Sequence, residues 1–308
     1  MTVSNMRSKL VYAAPFVLLC LALVLEPSSP LAAPSGSNSG RKLIDIVYVW
    51  GIPMGNNAYD LPKGKMLRTD DPAKFAEADP HSKASLLGVH NVFMAGDGLS
   101  NDLKTAEAQS EEVSQMKRII WELTPDPPFL YTPKVKVLKS LKKRYPQIEA
   151  IVLDDMMTSQ KNRGLRPKHV AVLRQEMAPM LKSTEMYGVV YTKNFSDPLL
   201  PEYIPLLDGF LLAEWQAEDI PKLEENVATL SKMAPAKPII LALYLYDYGK
   251  NRKMPRQLMK MQCEKALDLA KQGRIKGIVF VLVNNDPETV VWTRDWIREH
   301  AGDPIGAH

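Results

Sequence analysis

Cysteine is nearly absent from this chain: 308 residues hold only Cys20 and Cys263. Cys20 lies in an apolar leader, so an exported body keeps Cys263 alone and forms no internal disulfide. The paired spacings of a zinc ribbon or a CxxC redox site are missing as well. Cys263 sits in the amphipathic run MKMQCEKALDLA, where a lone cysteine acts as a small buried hydrophobe. Charge of one sign is also lacking. The 39 Lys and Arg stand against 35 Asp and Glu, spread along the chain, so nothing in the charge points to nucleic acid. No internal repeat is evident. A 45% hydrophobic and 24% charged composition is that of a folded globular body.

The amino terminus reads as an address. Arg7 and Lys9 precede the uncharged stretch LVYAAPFVLLCLALVL (Leu10 to Leu25), which runs into Glu26 and a Ser/Pro/Ala segment. Positive, apolar and then small-residue segments in that order define a secretory signal. Residues 1–33 are therefore expected to be a signal peptide or short anchor, 34–42 a flexible tether, 43–302 the folded body and 303–308 a tail. The expected location is periplasmic or extracellular, with membrane contact only through an uncleaved N-terminal segment. Leu19 before Cys20 argues against lipid attachment, which wants a small residue there.

After the tether, short β-branched or aromatic runs alternate with helical patterns. Eight runs are legible: Leu43 to Trp50, His90 to Gly96, Arg118 to Leu123, Ile148 to Asp155, Met186 to Thr192, Asp208 to Trp215, Pro238 to Tyr246 and Gly277 to Asn284. Their near-continuous apolar character suits strands covered on both faces. Helices are expected over Thr105 to Met116, Pro133 to Arg144, Arg166 to Lys182, Glu218 to Met233, Pro255 to Gln272 and Pro287 to His300. The connection NFSDPLLPEYIPLL holds too many prolines for a long helix. This count and length predict a single-domain α/β (β/α)8 barrel. An open dinucleotide-binding sheet is disfavoured because GIPMGNNAYDLP, after the first strand, contains no GxGxxG. The long segment Met54 to Leu87 is read as a lid over the mouth.

Barrel chemistry occurs at the carboxyl ends of the strands. Carboxylates and aromatics dominate there, and histidine is missing. None of the five histidines forms the His-x-His pair expected of a barrel metallohydrolase, and the loops after the seventh and eighth strands are not glycine-rich phosphate loops. Lys193, the strand-end lysine, is read as solvent-exposed rather than as a Schiff-base residue. No cofactor or bound metal is expected, although clustered acids at a barrel mouth are also compatible with Ca²⁺.

Glycosidic-bond chemistry needs two carboxyl groups, one protonated and one ionised. IVLDDMM ends a buried strand in two adjacent charges, Asp154 and Asp155; the bland alternative makes them a strand end and a turn cap. Glu214 in FLLAEW emerges from the core at the same face, with a loop salt bridge as its alternative role. These three are the candidate catalytic residues. Candidate carbohydrate-binding residues are Trp50, Trp121, Glu122, Tyr191, Trp215, Tyr244, Tyr246 and Asn284: aromatic faces stack on sugar rings, and amides and carboxylates bind hydroxyls. Asp286, before Pro287 and Glu288, reads as a helix N-cap.

With LDD closing the fourth strand, AEW the sixth and Tyr-x-Tyr the seventh, the chain resembles secreted bacterial barrel proteins of glycoside hydrolase type. The acidic layout is similar to the clan that includes the α-galactosidases. That resemblance implies a nucleophile at Asp155 or Asp154 and an acid/base at Glu214. The chitinase-type run DxxDxDxE is absent. The expectation is an exported, glycoside hydrolase-like barrel acting on carbohydrate. The alternatives are a catalytically inactive carbohydrate-binding barrel and a structural cell-envelope protein.

Overall fold

The computed structural model describes residues 40–53, 68–96, 98–123, 132–157, 165–281 and 286–307. Its strands are β1 (Val47–Gly51), β2 (Asn91–Met94), β3 (Arg118–Glu122), β4 (Ile148–Leu153), β5 (Glu185–Tyr191), β6 (Gly209–Ala213), β7 (Ile239–Tyr244) and β8 (Gly277–Val281). All eight are parallel and close into a barrel, with β1 pairing both β2 (Tyr48↔Asn91) and β8 (Val47↔Ile278). This is the expected (β/α)8 architecture.

Alternation along each strand divides the apolar residues into two cores. Tyr48, Trp50, Phe93, Ile120, Ala150, Val152, Tyr187, Val189, Leu211, Ala242 and Val281 belong to a cluster inside the barrel. Val49, Met94, Trp121, Ile151, Leu153, Leu212 and Phe280 belong to the layer under the helices. Both faces are thus covered, which is why β1, β2, β6 and β8 are buried at every position.

The helices are α1 (Pro80–Leu87), α2 (Leu103–Glu111), α3 (Thr132–Arg144), α4 (Pro167–Met177), α5 (Leu200–Tyr203), α6 (Leu223–Met233), α7 (Arg256–Lys271) and α8 (Pro287–His300). The expected long helix from Glu218 is split: Pro221 lies in a 3-10 turn, Ala217–Lys222, and α6 starts after it. The helix expected to run to Lys182 ends at Met177. α1 was hidden in the segment read as a lid. Asp79 caps it by accepting the Ser82 N–H at 2.6 Å, and Gly88 ends it in the left-handed region at φ 70. Cys263 on α7 is fully buried. The expected leader and most of the tether, the start of the expected lid at 54–67, and Asn284 lie outside the described residues. Among the described residues no helix is long and apolar enough to cross a membrane.

The amino end of the barrel carries a polar layer. Pairing of β3 with β4 passes from Ile119↔Ile148 to Ile120↔Ala150, so Glu149 is an extra, bulged residue. Its carboxylate accepts from the Tyr48 hydroxyl and, at 2.6 Å, from Arg118 Nε. Beside it Glu185 accepts from Tyr187 at 2.9 Å and from Lys276 at 2.5 Å. Gly209 fixes the β5–β6–β7 contact, because a Cβ there would come within 2.6 Å of the Pro238 carbonyl oxygen. Gly209→Ala is expected to lower stability by about 1–3 kcal/mol, the usual cost of overpacking. Equilibrium urea unfolding measures it, and an unchanged midpoint would contradict this register.

Candidate active site

The chain turns sharply where β4 ends. Asp155 takes φ 48, a left-handed conformation that aspartate tolerates better than most residues, and its N–H donates to Asp154 Oδ1 at 2.9 Å. The turn breaks the strict alternation of an extended chain, so both carboxyl groups line one pocket instead of facing opposite sides. The next residue, Met156, anchors the turn in the core and is fully buried. Gly188 on β5 makes room for it, since a Cβ there would lie 2.6 Å from the methionine sulfur.

The pocket has a volume of about 300 Å³, within the range of small-molecule sites. Its apolar floor includes Val189, Leu211, Ala242 and Val281, inward-facing residues of β5 to β8. Trp50, Tyr191, Trp215, Tyr244 and Tyr248 give it aromatic walls, and Lys193 joins them. Trp50 is backed by Phe93, its register partner on β2, with the rings stacked at 4.7 Å and 10°. Tyr191 donates its hydroxyl to Asp155 Oδ1 at 3.1 Å.

Tyr248 sits on a two-residue-per-strand hairpin, Tyr246–Asp247 with Arg252–Lys253, that follows β7. Buried Asp247 holds that hairpin by accepting Arg252 Nε at 2.9 Å and the Lys250 N–H at 3.3 Å. Tyr248 meets Tyr244 and Tyr246 edge-on at 5.5 and 5.1 Å.

Two polar groups of this wall are buried without a hydrogen-bond partner among the described residues: the Trp50 indole N–H and the Tyr248 hydroxyl. Orphaned buried donors are rare and call for an explanation. Here both belong to residues that line one concave site.

Burial pushes the Asp154 carboxyl up to about 7, and the negative charge of Asp155 pushes in the same direction. Near neutral pH a large fraction of Asp154 is therefore protonated. Burial also raises the Tyr191 hydroxyl, helped by the charge of Asp154, which keeps it a donor.

Of the residues expected from the sequence, Asp154, Asp155, Trp50, Tyr191, Trp215 and Tyr244 come together in the pocket. Glu214 does not line it. The residue follows inward-facing Ala213, so its side chain turns outward, is 3% exposed, and accepts from Asn226 on α6 at 2.5 Å and from Thr192 at 3.2 Å. Burial lifts its carboxyl to about 7 against those two hydrogen bonds. Trp121 belongs to the layer under the helices rather than the mouth, because its neighbour Ile120 takes the inward position. Glu122 is buried and is not among the pocket-lining residues. Tyr246 donates to Asn251 at 2.7 Å on the hairpin and reaches the pocket only through its contact with Tyr248. Asp286 is the N-cap residue of α8, bonded to Thr289 Oγ1 at 2.6 Å and to Lys253 at 2.8 Å. Lys193 is solvent-exposed, as expected, and also stands at the pocket wall. Among the described residues no group of three or more His, Cys, Asp or Glu is arranged to hold a metal ion.

No protein-family model matches the sequence, and no curated relative matches it. Similarity appears at the level of structure. The glycoside hydrolase family 99 endo-α-mannosidase from Bacteroides thetaiotaomicron superposes with a TM-score of 0.53 at 12% identity, over 83% of this chain and 97% of that one. An active-site mutant of the Rhizomucor miehei β-1,3-glucanosyltransferase, in complex with laminaritriose, gives 0.51 at 11% identity over 84% and 92%. At such identities the likeness establishes the fold: this chain is a (β/α)8 barrel of the form that these glycoside hydrolases share.

The raised Asp154 has a consequence for stability. An unfolded aspartate ionises near about 4, so between that pH and about 7 folding must increasingly return a proton to Asp154, and the resulting loss of stability is complete above 7. Asp154→Asn is expected to be more stable than wild type at pH 8 by about 1–3 kcal/mol, with the gap closing towards pH 4. Thermal unfolding across pH checks this; a pH-independent difference would contradict a raised Asp154.

Proposed function

We propose that the protein acts outside the cytoplasm on carbohydrate, binding it in the Trp50–Tyr191–Trp215–Tyr244 pocket and cleaving or transferring a glycosidic bond with Asp154 as the proton donor. The observation that carries this reading is the pairing of two adjacent carboxyl groups, Asp154 and Asp155, in one pocket under aromatic walls, with burial raising the Asp154 carboxyl to about 7. Aromatic faces suit the C–H faces of a sugar ring. The glycoside hydrolase fold of the structural neighbours supports the same class.

In the step this implies, the bond from the anomeric carbon to the leaving oxygen breaks with its electron pair going to that oxygen. The oxygen takes the Asp154 proton. The Asp155 carboxylate, oriented by Tyr191, stabilises the positive charge that develops on the ring. A water or a sugar hydroxyl then attacks and returns a proton to Asp154. Glu214 has a positioning role in this scheme, tying the end of β6 to Thr192 and α6. Its outward orientation also favours a second reading, in which the barrel holds carbohydrate without cleaving it.

Reducing-end release and binding measured over a glycan panel separate the two. Asp154→Asn and Asp155→Asn are expected to lower turnover by about 100-fold or more, and Glu214→Gln by less than about tenfold. Turnover should decline as pH rises above about 7, where Asp154 loses its proton. Binding without turnover would establish the second reading, and no binding to any glycan would contradict both.

A further inference from the structure

We infer that the pocket selects a sugar carrying a single negative charge, a carboxylate or a sulfate ester, and that Lys193 is the residue that recognises it; this rests on the carbohydrate reading above. Four cations stand on the loops after β5 and β7. Three are neutralised by a carboxylate: Lys250 by Glu218, Arg252 by Asp247 at 2.9 Å, and Lys253 by Asp286 at 2.8 Å. Lys193 takes part in none of the ion pairs of the described residues. Its Nζ instead lies 5.1 Å from the ring centroid of Tyr191 and 5.3 Å from that of Trp215, and all three side chains line the pocket.

Ring faces attract an ammonium without accepting its N–H groups in the directed way an oxygen does, so the donors of Lys193 remain for a ligand. Lys193 is exposed, so an arriving anion has free access to it, and the two ring contacts favour placements of the ammonium at the pocket wall. The backbone beneath is fixed: Lys193 lies in the 3-10 turn Thr192–Ser196, where Asn194 Oδ1 accepts the Tyr191 N–H at 2.9 Å. The rest of the pocket limits what the anion is part of. Its aromatic walls and apolar floor ask for a ring, and the two aspartates in the same site oppose the double charge of a phosphate ester more than a single one.

The test uses an array of oligosaccharides matched in linkage and length, in neutral, C6-oxidised (uronate) and sulfated forms, probed with the intact barrel. Wild type is expected to prefer at least one acidic form over its neutral partner by about tenfold, with the preference shrinking as salt is raised. Lys193→Met should remove that preference and Lys193→Arg should keep it. Lys232→Met, which deletes an exposed charge on α6, should also keep it. The uronate and sulfate arms identify which anion is read. Equal binding of neutral and acidic partners by wild type, or a preference that survives Lys193→Met or is lost in Lys232→Met, overturns the inference while leaving the carbohydrate reading intact. Absence of binding to any glycan overturns both.

Discussion

The constraint on which this structure depends is the two-residue period of strands in a closed barrel. Once β1 pairs with both β2 and β8, every strand must send alternate side chains to the interior and to the helices, and no edge remains to relax the rule. At the mouth that rule separates adjacent residues of similar chemistry. Trp215 enters the pocket and Glu214 is turned to Asn226; Ile120 fills the interior and Trp121 is sent under the helices. The exception is at β4, where the left-handed turn at Asp155 brings two neighbouring carboxyl groups to one side. A fold that otherwise spreads its polar groups has concentrated two like charges there.

That concentration is unfavourable in isolation, and the surroundings show what sustains it. Burial raises the Asp154 carboxyl to about 7, so below that pH its protonation relieves the repulsion with Asp155. Tyr191 and the turn's own N–H supply hydrogen bonds, and Met156 locks the turn into the core against Gly188. Stability is supplied elsewhere, by the two apolar layers and by the polar layer at the opposite end, where Glu149 and Glu185 are each matched with a cation and a tyrosine. Among the described residues, buried polar groups without a partner occur at both ends, the Trp50 N–H and Tyr248 hydroxyl at the carboxyl end and the Thr184 hydroxyl just before β5 at the amino end.

Much of this was legible in the amino-acid sequence because the signals were local. Continuous apolar runs such as IIWEL and IVLDD announced strands covered on both faces, and the proline-rich NFSDPLLPEYIPLL announced a connection without a long helix, which became the four-residue α5. Strand-end acids and aromatics marked the mouth. What the sequence could not fix was direction. Whether Glu214 or Trp215, and whether Trp121 or Ile120, faces inward depends on register, and a shift of one residue reverses every assignment. Lys193 is exposed as the sequence suggested, but its place against two rings was not legible, because they come from β5 and from the loop after β6. α1 was missed for another reason: PHSKASLL is short, mixes Lys83 into a buried face, and lacks an amphipathic stripe.

The account stands on Asp154 being a proton donor near neutral pH, and difference infrared spectroscopy of wild type against Asp154→Asn tests that directly. Beside the band of Glu214, which is raised to about 7 as well and stays in the variant, the account predicts a second protonated-carboxyl carbonyl contribution in wild type at pH 6 that titrates away with a midpoint near 7 and is lost in Asp154→Asn. A wild-type spectrum without that second contribution at pH 6, with the group titrating near the ordinary aspartate value of about 4, would contradict it.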